Sequence, residues 1–149
     1  MKTFSEIITF ANRPTGSGQI YTEDVLKSAF DIYMSKDKDL RRGCIDAPVG
    51  GVVTYDICSH YLLDVWWEED TLWGEIEIAT SLPKGKILEM LIDTVPETMT
   101  LGLAAMAAFK PAEVISRDLF EVYEEDYSKT VDDMAVLTVY VLPKANTNH

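Results

Sequence analysis

The segment Asp64-Val65-Trp66-Trp67-Glu68-Glu69-Asp70-Thr71-Leu72-Trp73-Gly74-Glu75-Ile76-Glu77-Ile78 constrains the fold more than any other stretch of this chain. Trp73, Ile76 and Ile78 interleave with Glu75 and Glu77. That near-alternation belongs to an antiparallel strand with one face on a core and one face in water. The pattern from Thr54 to Trp67 suits a long strand, Leu72 to Ala79 pairs with it, and Glu68-Glu69-Asp70 is the acidic turn between them. A hairpin therefore sits at the centre of the chain.

The remaining patterns decorate it. Ile7–Phe10 reads as a short strand, followed by a Gly/Pro/Ser/Thr-rich loop from Asn12 to Gly18. Thr22 is a good helix N-cap, and Glu23 and Asp24 complement the dipole of the first turn. Val25, Leu26, Ala29, Phe30, Ile32 and Tyr33 recur at helical spacing, which predicts an amphipathic helix over 23–35. A charged linker, Lys36–Arg42, leads into loop chemistry over 43–51. Gly85–Thr94 reads as a second helix with Ile87, Leu88, Leu91 and Ile92 inward. Leu101–Phe109, Phe120–Tyr127 and Met134–Leu142 read as strands, the first against the low strand propensity of alanine. The order predicts an α+β fold, an antiparallel β-barrel or strongly curved sheet with about two flanking helices. The 149 residues are expected to form one domain, 1–149, with 143–149 a flexible tail.

Composition narrows the function. Asp and Glu number 25 against 13 Lys and Arg, a formal charge of -12. A nucleic-acid partner needs a basic face, and an anionic membrane needs the same, so neither is expected. The longest apolar run, Leu101–Phe109, is about half a bilayer span, and the first residues carry no signal-peptide pattern. These features predict a soluble intracellular or intravirion protein. Cys44 and Cys58 form no metal or disulfide framework, and no cofactor is expected.

Few residues suggest chemistry. His60 is the one histidine away from the terminal His149, and Ser59 beside it invites a Ser-His pair. Neighbours on a strand point to opposite faces, however, so a structural His60 is the expectation. Glu68, Glu69, Asp70, Glu75 and Glu77 fit a solvated hairpin face better than a metal or acid–base site, as do Glu121, Glu124, Glu125 and Asp126. Trp66, Trp67 and Trp73 are candidate partner contacts, with alternate positions expected to place one in the core and one in solvent. Gly50-Gly51 stands alone and makes no phosphate loop.

Taken together, several segments resemble the tailed-phage prohead maturation proteases over about residues 9–142. The Asp64–Ile78 hairpin is similar to the family's aromatic pair, acidic turn and aromatic-Gly-charged strand. Pro83 and Gly85-Lys86-Ile87-Leu88, followed by Leu91-Ile92, resemble its next helix. Gly18-Gln19-Ile20-Tyr21 with Val25-Leu26 resembles its early segment and helix. The resemblance implies a herpesvirus-protease-like fold. It also implies a catalytic base in Gly43-Cys44-Ile45-Asp46-Ala47-Pro48, where active members carry histidine and this chain carries Ala47. The nucleophile strand matches Gly102-Leu103-Ala104-Ala105-Met106-Ala107, where both serines are Ala104 and Ala105 and the arginine is Met106. His60 matches a Ser-His pair on the first hairpin strand and would be a relic left without partners.

Alanine neither moves a proton nor attacks a carbonyl. The resemblance thus implies a vestigial site of Ala47, Ala104, Ala105 and His60, closed into an apolar patch with no substrate-sized pocket between Ala47 and Ala104. The expected function is that of an inactive prohead-protease homologue in a phage head, as a decoration, minor capsid or assembly protein. Its expected partners are the major capsid protein or other head proteins, with homo-oligomer formation also compatible. Its expected location is the virion, after assembly in the host cytoplasm. An active or deliberately inactivated serine-type maturation protease, cleaving capsid and scaffold proteins, is the alternative. A host-cell binding module is a third.

Overall fold

A computed structural model describes residues 1–15, 18–109 and 129–144. The strands are β1 (Thr3–Phe10), β2 (Gln19–Ile20), β3 (Arg42–Gly43), β4 (His60–Glu68), β5 (Thr71–Ile78), β6 (Met99–Phe109) and β7 (Lys129–Pro143). The helices are α1 (Glu23–Met34) and α2 (Pro83–Thr94). One sheet has the order β1-β5-β4-β3 and the other β2-β7-β6. They meet along both flanks. On one side Thr100 Oγ1 donates to Ile7 O at 3.3 Å. On the other, Val141 N–H donates to Cys44 O at 3.0 Å and Asp46 N–H to Val141 O at 2.7 Å. The result is the α+β fold expected, a curled antiparallel half-barrel with two helices. Its core gathers Ile8, Leu26, Leu62, Leu72, Ile76, Leu88, Leu101, Val131 and Val139, all essentially inaccessible.

Local chemistry explains the elements that the sequence announces. The β4–β5 hairpin pairs Trp66 with Trp73 and Trp67 with Leu72, and β5 alternates half-buried and buried residues along its whole length. Helix α1 starts where Thr22 Oγ1 accepts from Val25 N–H at 3.3 Å. It buries Leu26, Ala29, Phe30 and Tyr33, while Ile32, expected inward, is 67% exposed. Helix α2 begins earlier than expected, at Pro83, whose fixed φ and missing N–H suit the first turn. It buries Leu88 and Ile92 and leaves Ile87 exposed.

Three expectations change. The strand predicted from Thr54 begins only at His60, because Ile57 N–H and Cys58 N–H both turn back to Thr54 O. The loop over 43–51 is interrupted at its start by β3 and at its end by a short 3-10 turn, Val49–Gly51. The alanine-rich β6 is longer than its propensity predicts. Antiparallel pairing with β7 along its entire length overrides that propensity. The strand expected over 120–127 and most of the 143–149 tail lie outside the described residues. No helix among the described residues is long and apolar enough to cross a membrane.

Candidate functional site

A cleft of about 360 Å³ lies between β1, β2, β6 and β7, closed on one side by the loop after β3. Ile8 and Thr9 come from β1, Leu103, Ala104 and Ala105 from β6, Leu137 and Tyr140 from β7. Thr15, Gln19 and Tyr21 form another wall, and Ala47 and Gly51 the rim. The rim loop turns sharply, with Asp46, Gly50 and Gly51 at φ of 66°, 68° and 73°. Asp tolerates that left-handed conformation, and glycine adopts it freely. At Gly51 a Cβ would also stand 2.5 Å from Leu137 Cδ1, so the rim can approach β7 only with glycine there.

Ala47, Ala104 and Ala105 therefore border one cleft, but the cleft is open. The expectation of a closed apolar patch fails for a simple steric reason. Methyl groups are short, and the strands that carry them are held apart by the sheet and core, so small side chains leave space rather than fill it. Val49 next to the rim is 98% exposed and Val52 66%.

The cleft's polar groups are hydroxyls and an amide. Tyr21 Oη donates to Gln19 Oε1 at 2.6 Å, and Thr15 Oγ1 donates to Gln19 O at 3.1 Å. Burial raises the pKa of Tyr21, and the nearby Tyr140 raises it further. Burial likewise raises Tyr140, with Asp46 adding to it. Both phenols stay protonated at neutral pH. Among the described residues that line the cleft there is no carboxylate, imidazole, thiol or ammonium.

His60 lies elsewhere. Its side chain is fully buried beneath β3 and does not line the cleft. Its ring is also far from partnerless. Nε2 lies 2.7 Å from Val139 O, which can only accept, so Nε2 carries the proton. Nδ1 is then the acceptor for the Ser59 hydroxyl at 2.9 Å. Ser59 precedes the first residue of β4, so the strand rule that sends neighbours to opposite faces does not bind it. The two side chains meet after all. Both are inaccessible, which denies a substrate the Ser59 oxygen. Burial pushes the His60 pKa down to about 4, opposed only in part by the Val139 carbonyl. Gly43 is what admits the ring, since a Cβ there would stand 2.0 Å from Nε2.

The tryptophans divide by face. Trp67 opposes the buried Leu72 and packs on the core, with Lys27 Nζ 5.7 Å from its ring centroid. Trp66 and Trp73 are register partners on the opposite, outer face, and all three rings are half-buried. The expected split into one core and one solvent tryptophan is thus softer than alternation alone suggests.

The walls supplied by Thr15, Gln19, Leu137 and Tyr140 had no signal in the sequence. They come from separate elements, and only long-range pairing of β2 with β7 and of β7 with β6 assembles them.

No protein-family model matches the chain, and no curated protein matches it. Among solved structures, the bacteriophage T4 capsid assembly protease, gp21, is similar with a TM-score of 0.69 at 14% identity. The match covers 94% of this chain and 80% of that one. At that identity the likeness speaks for the fold, and the curled half-barrel with its two helices is a phage prohead-protease-like fold.

Proposed function

We propose that this chain is a prohead-protease homologue without hydrolytic activity that serves as a structural or assembly component of a tailed-phage head. The observation that carries this reading is the makeup of the cleft. Ala47, Ala104 and Ala105 border it, and among the described residues no group lining it can act as a base toward a serine or threonine hydroxyl at neutral pH. A nucleophile needs an activating base within hydrogen-bond reach. Ser59 and His60 have that contact but are sealed from any substrate.

The fold likeness to a capsid assembly protease supports a place among head proteins, and the major capsid protein is the leading partner. Such a role puts the chain in the virion or in assembling heads in the host cytoplasm. A net charge of -12 disfavours packaged DNA as the partner. The test is to incubate the chain with assembled heads and unassembled capsid and scaffold proteins, then to follow co-sedimentation and fragment masses together. Binding without new fragments supports the proposal. Site-specific fragments would overturn it.

A further inference from the structure

Four register rows cross the outer face of β1, β5 and β4. They are Thr3–Glu77–Tyr61, Ser5–Glu75–Asp64, Ile7–Trp73–Trp66 and Phe10–Thr71–Glu68. Alternation along β5 places all of these on the side away from the core, where Leu72, Gly74, Ile76 and Ile78 are buried. The end rows carry their own cations. Lys38 Nζ bonds Glu77 Oε2 at 2.7 Å and stands 5.8 Å from the Tyr61 ring centroid. Arg13 lies 3.6 Å from the centroid of Phe10.

The middle of the face differs. Ile7, Trp73 and Trp66 make an apolar row, with Glu75 and Asp64 on one side and Glu68 on the other. Among the described residues no ion pair reaches Asp64, Glu68 or Glu75. Nor does any cation lie over Trp66 or Trp73, although Phe10, Tyr33, Tyr55, Tyr61 and Trp67 each have one. Indole faces and nearby carboxylates both attract a guanidinium or ammonium, and an aliphatic stem fits the apolar row between them.

We propose that the outer face centred on Trp66 and Trp73 docks an arginine- or lysine-bearing segment of a partner protein. The partner supplies the cations that the described residues leave off that row. Buried tryptophan contacts supply most of the affinity, and the carboxylates steer association and make it salt-sensitive. This site lies on a different face from the cleft, so it stands whether or not the cleft is inert.

The probe is a short peptide of alternating arginine and leucine, titrated into the full chain and read by tryptophan fluorescence and by calorimetry. The wild type is expected to bind it. Trp73→Ala and Asp64→Asn/Glu75→Gln should each weaken binding by about tenfold or more. Asp24→Asn/Glu97→Gln removes equal charge from exposed positions elsewhere and should leave binding unchanged. Binding lost equally in both carboxylate pairs would reduce the effect to net charge and overturn the proposal. Equal affinity in Trp73→Ala, tighter binding of a glutamate–leucine peptide, or no binding by a wild type shown folded by circular dichroism would also overturn it. If Trp73→Ala unfolds, Trp73→Phe keeps the test, with a smaller loss expected from the lesser cation affinity of the phenyl ring.

Discussion

Lowering the pH should destabilise this protein through His60. In the folded chain the imidazole is sealed between Ser59 and Val139, and its pKa is near 4 against an ordinary 6.5. Above 6.5 the ring is neutral in both folded and unfolded states, and the full stability is present. As the pH falls from 6.5 toward 4, the unfolded chain takes a proton that the folded chain refuses, so stability falls throughout that window. At about 1.4 kcal/mol per pKa unit, the whole shift is worth about 3 kcal/mol, and about 2 kcal/mol of it falls between about pH 7 and pH 4.5. Other groups contribute to any acid response, so the comparison must cancel them. His60→Gln does so. Glutamine still donates to the Val139 carbonyl but has no proton to gain. Urea unfolding of both proteins at the two pH values gives two losses of stability, whose difference isolates His60. The wild type should lose about 2 kcal/mol more than the variant. Parallel losses, within about 0.5 kcal/mol, would mean that the ring is hydrated or already charged in the fold and would refute the argument.

Two further outcomes follow from the same region. Gly43→Ala places a methyl group 2.0 Å from His60 Nε2 and 2.4 Å from Val139 O. It should cost at least about 3 kcal/mol in urea unfolding, since it forces apart a strand pair and a buried hydrogen bond together. Cys44 and Cys58 are buried, and burial raises both thiols, Cys44 to about 11. In the native protein neither should react with a disulfide reagent near neutral pH over the time in which both react in urea.

What could be read from the sequence was what local chemistry dictates. The β4–β5 hairpin was legible because Glu75 and Glu77 alternate with Ile76 and Ile78, and α1 because Thr22 caps an amphipathic run. The start of β4 was not. The strand pattern from Thr54 looks continuous, and the turn that breaks it is made by backbone bonds to Thr54 O. The Ser59–His60 contact was hidden for the same reason, because it depends on where the strand begins. The positions of Ala47, Ala104 and Ala105 were legible only through a family resemblance. Nothing in three alanines reveals that the strands behind them hold a cleft open. The division of the tryptophans between two faces needed the register, which Trp66↔Trp73 and Trp67↔Leu72 establish.

The proposed lack of hydrolytic activity turns on whether any serine in this chain is an activated nucleophile. Treating the native protein with an alkyl fluorophosphonate, which phosphonylates serines that have a working base, and weighing the intact chain measures this. An unchanged mass is predicted, because Ala47, Ala104 and Ala105 border the cleft and Ser59 is sealed with His60. A stoichiometric adduct, mapped to Ser59 or to any other serine and absent after unfolding, would contradict the central claim and make the protein an enzyme.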